Sequence, residues 1–253
     1  MSGQSMEERA RIRVVCIEGN IAAGKTTYIE HVGRALEQLG YGVVRVCEPI
    51  DEWTSVGRDR VNMLAAAYTN PRENAFPFQL TALVTHVRAV KAGVAQAQML
   101  LDASNGALER VYVLVERSAA SYKYVFARLA ELRQDISTTC AAVYDLIYAQ
   151  LVDVNYRVHA IVYLKASPDL CLQRRRQRGR QCEETAVDRD YLTTLNTMYG
   201  MFVDNAMVNG DGAVRVHTVN VDVDLKQLID TNVRVSQTAV DSARNLHELT
   251  CVR

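Results

Sequence analysis

IEGNIAAGKTTYIEHV, Ile17 to Val32, decides how the rest of the chain is read. Within it, Gly19-Asn20-Ile21-Ala22-Ala23-Gly24-Lys25-Thr26 satisfies G-x-x-x-x-G-K-[ST], and Thr27 follows. The match lies directly after the apolar run IRVVCI (12–17) and before a helical pattern, which is the context this phosphate-binding loop requires. Two glycines let the backbone curl so that successive N–H groups converge on an anion, and the following helix N-terminus adds a positive dipole end. Lys25 is the candidate partner of the β- and γ-phosphates, and Thr26 of a magnesium ion. A chance match in a chain of this length has a probability on the order of one per cent. The loop specifies a nucleotide triphosphate and leaves the reaction open.

Working outward, short β-branched runs recur at 12–17, 43–47, 111–115, 160–164 and 214–221. Between them, residues 25–39, 76–101, 119–132, 137–153, 169–177 and 188–207 have helical composition. The alternation predicts an α/β phosphate-loop fold: a mainly parallel sheet of about five strands, covered by helices on both faces, with ligands beyond the strand carboxyl ends. A chain of 253 residues is expected to form a single domain, 1–253, with a flexible N-terminus at 1–11. The last thirty residues read as helical.

Lys plus Arg equals Asp plus Glu at 29 each, so the surface offers no general field for nucleic acid or an anionic membrane. No apolar run approaches the roughly 20 residues that span a bilayer. The six cysteines form no C-x-x-C pair, and MSGQSMEERARIR lacks a signal-peptide core. A cytoplasmic protein with reduced thiols is expected.

Functional residues should follow the strands. After the second comes EPIDEW, where Glu48 is positioned to take a proton from a hydroxyl, although a solvated turn carries the same residues. The third ends VYVLVERS, so Glu116 suits a magnesium-directed acid and Arg117 a reacting oxygen; a salt bridge to a helix is the alternative. RRRQRGR (174–180) fits a lid over a triphosphate, a nucleic-acid or nuclear-localisation patch, or a solvated face. Tyr68, Phe76, Phe78, Gln79, Tyr122, Tyr124 and Phe126 offer rings and an amide for stacking on and reading a base, or a core aromatic cluster.

In order, IEGNIAAGKTT, EPIDEW, YTNPRENAFPFQ, ERSAASYKYVF and RRRQRGRQCEE resemble the eukaryotic and viral deoxynucleoside kinase family, the deoxycytidine, deoxyguanosine, mitochondrial thymidine and insect deoxynucleoside kinase type, from about residue 12 to about 230. The resemblance implies transfer of the ATP γ-phosphate, with Mg2+, to a deoxynucleoside 5′-hydroxyl, and a homodimer. It assigns Glu48 as general base, Glu116 as the magnesium-side acid, Arg117 as the active-site arginine and Trp53 as a wall of the cleft. Gln79 reads the base edge, Phe78 and Phe126 flank the base, and Tyr68 with Glu184, chosen over Glu183, binds the 3′-hydroxyl. Arg174, Arg178 and Arg180 become arginines of a lid at 174–187.

Members that prefer deoxycytidine and purines carry an Arg on the long helix and an Asp after E-R-S, where this chain has His86 and Tyr122. Loss of that charged pair points to pyrimidine deoxynucleosides. Thymidine-accepting relatives usually have a small residue at the Tyr122 position, which implies a tighter pocket here. A nucleoside monophosphate kinase of the thymidylate type is the nearest rival, but an acid at position 48 repels a second phosphate. A non-catalytic nucleotide-binding module is the other alternative, and a nucleic-acid motor lacks a basic surface.

Overall fold

The computed structural model describes residues 11–152, 157–209, 214–222 and 244–248. The expected flexible N-terminus and most of the last thirty residues lie outside them; residues 244–248 are helical. Strands β1 (Ile12–Gly19), β2 (Gly42–Val46), β3 (Val111–Glu116), β4 (Ala160–Lys165) and β5 (Arg215–Asn220) form one sheet in the order β2-β3-β1-β4-β5. All four pairings are parallel. Every residue of β3 is buried, and neighbouring strand residues point to opposite faces, so both faces of the sheet are covered there. The edge strand β5 is only partly buried.

Two strand ends bring the loop and an acid together. β1 runs past the apolar hexapeptide to include Glu18 and Gly19, and β3 takes Glu116 as its last residue. The register pairs Ile17 with Glu116 and Gly19 with Leu164, which brings the first glycine of the loop, the acid of β3 and the end of β4 to one edge.

Helix α1 (Lys25–Gln38) follows the loop. Short helices α2 (Ile50–Trp53) and α3 (Met63–Thr69) escape periodicity analysis because neither completes two full helical turns. Helix α4 (Pro71–Ala103) starts five residues before the helical pattern, at a proline that suits the first helical position. Pro77 lies inside it at the cost of one backbone hydrogen bond, and burial of Ala75, Gln79, Ala82 and Leu83 holds the segment in place.

The segment expected as one helix at 119–132 is three pieces. Helix α5 (Ala119–Ser121) leads into a π-helical turn (Tyr122–Ala127) and then α6 (Arg128–Leu132). Such turns recur at functional sites because they rotate side chains out of the α-helical register. Helices α7 (Thr138–Leu151), α8 (Pro168–Arg178) and α9 (Arg189–Asn209) follow. Ser167 caps α8 by accepting from the Leu170 N–H, and Gly179, at φ 67°, ends it in the left-handed conformation. Among the described residues no helix is long and apolar enough to cross a membrane.

Helix α4 packs closely on β2 and β3 because Gly93 has no side chain: a Cβ there would lie 2.6 Å from Val46 Cγ2 and 3.4 Å from Val113 Cγ1. Gly93→Ala should therefore destabilise the fold. Overpacking costs about 1–3 kcal/mol, which outweighs the roughly 1 kcal/mol that alanine gains in a helix. Urea denaturation checks this, and an unchanged midpoint would mean that α4 moves off the sheet at no cost.

Candidate active site

The phosphate loop is held from three sides. Gly19 has φ 146°, and a Cβ there would meet the Leu164 carbonyl oxygen at 2.8 Å, so only glycine lets β1 leave the sheet beside β4. The Asn20 amide accepts from the Ile21 N–H at 2.8 Å and donates to the Leu192 carbonyl at 2.9 Å, tying the loop to α9. Arg174 donates to the Ala23 carbonyl at 2.8 Å. Gly24, at φ 100°, precedes α1 without a side-chain cap, so the first N–H groups of that helix face the loop concavity.

Lys25 is buried and donates to the Asn20 carbonyl at 3.0 Å, with Glu116 Oε1 at 3.7 Å. Burial and the nearby Arg117 charge lower its affinity for a proton, against the pull of Glu116, Glu48 and Glu18. The Thr26 hydroxyl donates to Glu116 Oε2 at 2.9 Å, while Thr27 is exposed on the same turn. Thr26 and Glu116 thus form an oxygen-only pair at the lip of the loop. Among the described residues there is no cluster of three or more His, Cys, Asp or Glu side chains for a metal. That donor set fits magnesium, which takes one or two protein oxygens and completes its shell with phosphates and water.

Across the loop, Arg117 bonds through Nε and Nη1. Its Nε donates to Glu48 Oε1 at 2.6 Å, its Nη1 to the Gly19 carbonyl at 2.9 Å and also to the Tyr199 hydroxyl, and its guanidinium lies 4.6 Å from the centre of the Phe126 ring. The Tyr122 hydroxyl donates to the same Glu48 oxygen at 3.1 Å. Burial alone would raise the Glu48 carboxyl, but the charges of Arg117 and Lys25 and the two hydrogen bonds outweigh it and hold the group below its ordinary value. Glu48 is therefore ionised at neutral pH, with Oε2 clear of the bonds that hold Oε1. A carboxylate in that state is equipped to accept a proton.

Between this cluster and the lid lies a cavity of about 560 Å³. Lys25, Glu48, Trp53, Tyr68, Phe78, Gln79, Glu116, Arg117, Tyr122 and Phe126 all reach it, so residues scattered over half the chain converge on one space. Trp53 is fixed by a 2.9 Å bond from its indole N–H to Thr85 Oγ1 and meets Phe78 edge to face at 5.5 Å. Gln79 is buried, and its side-chain carbonyl oxygen has no hydrogen-bond partner. Gln79 is on the cavity lining, and an unsatisfied buried amide there is a candidate binding group for a donor on a ligand. His86 does not line the cavity. It backs Tyr122 at a ring separation of 4.9 Å, and burial lowers its pKa to about 4, so it is neutral.

The segment expected as a lid places its two adjacent acids differently. Glu184 is exposed and outside the cavity, whereas Glu183 is buried, lines it, and accepts from Arg178 and, at 2.7 Å, from Arg180. A 3-10 turn (Gln181–Glu183) after Gly179 sets this register, and the sequence contains no signal for it. The arginine run divides: Arg176 is exposed, buried Arg175 donates to the carbonyls of Glu183 and Glu184, Arg174 holds the phosphate loop, and Arg178 and Arg180 line the cavity. Sequence reasoning missed Tyr199, which reaches Arg117 from α9 with no local motif, and Ser118, whose S-x-x-S spacing to Ser121 forms a capping box.

A family described as deoxynucleoside kinase matches residues 15–244. A probable deoxycytidine kinase of fowlpox virus is 31% identical over 209 residues, 78% of this chain and 79% of the relative. Human deoxycytidine kinase is 30% identical over 215 residues, 77% and 76% of the two chains. A thymidine kinase of Ictalurid herpesvirus 1 is 28% identical over 198 residues, 76% and 75%.

Replacing Glu48 with Gln keeps the shape of the side chain and removes its capacity to take a proton. The kcat for phosphoryl transfer should fall by about 10²–10⁴-fold, with ATP affinity nearly unchanged. Because the wild-type shift favours the ionised form, activity should persist at neutral pH and be lost only as pH falls through the depressed value. Steady-state kinetics over a pH series measures both, and a wild-type kcat in the variant would remove Glu48 from this role.

Proposed function

Because the chain belongs to the deoxynucleoside kinase family, and is therefore an ATP-dependent enzyme that phosphorylates the 5′-hydroxyl of a nucleoside, we propose a pyrimidine deoxynucleoside, thymidine or deoxycytidine, as its acceptor. The observation that carries this choice is the uncharged Tyr122, backed from behind by neutral His86, on the same cavity as Gln79, whose side-chain oxygen has no hydrogen-bond partner. An amide presents one acceptor and one donor group side by side, matching N3 and the 4-substituent of either pyrimidine. Tyr122 is almost fully buried and restricts the width available to a purine. The relatives named for deoxycytidine and thymidine agree with this choice.

In the proposed reaction Glu48 Oε2 accepts the proton of the 5′-hydroxyl as its oxygen attacks the γ-phosphorus, and the bond from that phosphorus to the β,γ-bridging oxygen breaks, releasing ADP. Arg117 orients Glu48 and faces the developing charge. Lys25 and the N–H groups of Gly19 to Thr27 hold the triphosphate, and Arg174, Arg178 and Arg180 cover it. Trp53, Phe78 and Phe126 enclose the base, while Tyr68 and Glu183, rather than Glu184, meet the sugar 3′-hydroxyl. Thr26 and Glu116 would hold Mg2+, which when bound supplies positive charge to the phosphate oxygens. Positioning and electrostatics of this kind do most of the work in phosphoryl transfer.

We further propose that the protein acts as a single domain in the cytoplasm and as a homodimer through α4 and α7. Val84 on α4 and Val143 and Leu146 on α7 are large apolar side chains left exposed, Leu146 at 64%. Light scattering should give a mass of two chains, and Leu146→Asp should shift it toward one; a wild-type monomer at micromolar concentration would overturn the pairing.

Incubating the protein with magnesium ATP and each natural deoxynucleoside or its monophosphate, and identifying the product, tests the acceptor. Deoxynucleoside 5′-monophosphates should form, with kcat/KM highest for a pyrimidine. A purine ranked first would defeat the base assignment, and a diphosphate made from a monophosphate would support the rival kinase.

A further inference from the structure

Glu18 is a fully buried acid that the proposed transfer does not use. It lies on β1, one residue before the phosphate loop. Its Oε1 accepts from the Ser118 hydroxyl at 2.6 Å, and its Oε2 has no hydrogen-bond partner. Ser118 has a single hydroxyl proton. With that proton directed at Glu18, the oxygen lone pairs turn to the Ser121 N–H, which donates to them at 3.1 Å. That contact is the N-cap of α5, and α5 leads directly into the π-helical turn bearing Tyr122 and Phe126. The residue before Ser118 is Arg117, at φ 68°, whose N–H donates to the Ile17 carbonyl at 2.9 Å. One strand end thus reaches both the donor loop and the start of the acceptor wall.

We propose that Glu18 is a positioning residue: as an uncharged acceptor for the Ser118 hydroxyl, it locks the phosphate loop to the turn and helix that present Arg117, Tyr122 and Phe126. An ionised carboxylate out of contact with water needs partners on both oxygens, and here only one has a partner. Burial also raises the Glu18 carboxyl, and the opposing bond from Ser118 and the charges of Arg117 and Lys25 do not cancel the rise. An amide of the same shape can accept the same hydrogen bond.

This inference rests on the kinase reading, so its test has one readout that needs no substrate. Hydrogen exchange measured by mass spectrometry should accelerate over residues 117–127 in Glu18→Ala and leave β1, β3 and β4 unchanged. In the phosphorylation assay, kcat of Glu18→Ala should fall by about 10²-fold or somewhat less, with KM for ATP little altered. Glu18→Gln should restore both kcat and exchange. A Glu18→Gln variant as impaired as Glu18→Ala would show that charge, not acceptance, is required, and unchanged exchange in Glu18→Ala would overturn the lock. If Glu18→Ala does not fold, Ser118→Ala takes its place: it should reproduce the local exchange and the kcat loss, and wild-type behaviour there would refute the proposal.

Discussion

The ion pair between Arg117 and Glu48 is the contact on which the site is organised. Its two members follow different strands, β3 and β2, and meet at 2.6 Å over the end of β1. Withdrawing an arginine from water is expensive, and removing one partner of a buried pair typically costs about 3–5 kcal/mol. Arg117 tolerates burial because its Nε and Nη1 are engaged by a carboxylate, the Gly19 carbonyl and the Tyr199 hydroxyl, and the Phe126 ring lies under its plane. The arginine touches the donor loop through Gly19 and the acceptor wall through Phe126. The same side chain therefore ties the phosphate loop to the ring of Phe126 on the cavity wall.

Charge balance explains how so many ionisable groups share one edge. Lys25 and Arg117 repel each other, and Glu48 and Glu116 supply opposite charge at close range. A triphosphate brings several negative charges to Lys25 and to the N-terminus of α1. The carboxylate of Glu116 is then best accommodated beside a cation, which is the physical reason for reading Thr26 and Glu116 as an ion-binding pair. Glu18 lies out of contact with water under this cluster, where burial disfavours its charged form, and it contributes shape and a hydrogen bond to Ser118.

At the far side of the cavity the lid arginines are neutralised by the cavity's own acid. Arg178 and Arg180 both donate to Glu183, whose side chain is nearly inaccessible. These bonds order the turn after α8 while leaving both guanidinium groups at the cavity wall, where a phosphate is a better-matched partner than a single carboxylate.

Local chemistry in the chain was enough for the architecture and for much of the site. The glycine-framed loop, the five β-branched runs and the helical composition between them define a parallel sheet, because backbone freedom and side-chain periodicity act over a few residues. The convergence of Glu48, Glu116 and Arg117 on one cavity was legible because strand ends lie together at one edge of such a sheet. The boundaries of α4 and the break at Tyr122–Ala127 were not, since burial, not propensity, carries a helix through Pro77 and imposes a π-helical turn. The choice of Glu183 over Glu184, the reach of Tyr199 to Arg117, the backing of Tyr122 by His86 and the bond from Ser118 to Glu18 belonged to tertiary structure alone. Each depends on sheet register or helix packing that joins residues distant in the chain, or on a one-residue rotation of a turn, and neither leaves a pattern in the order of amino acids.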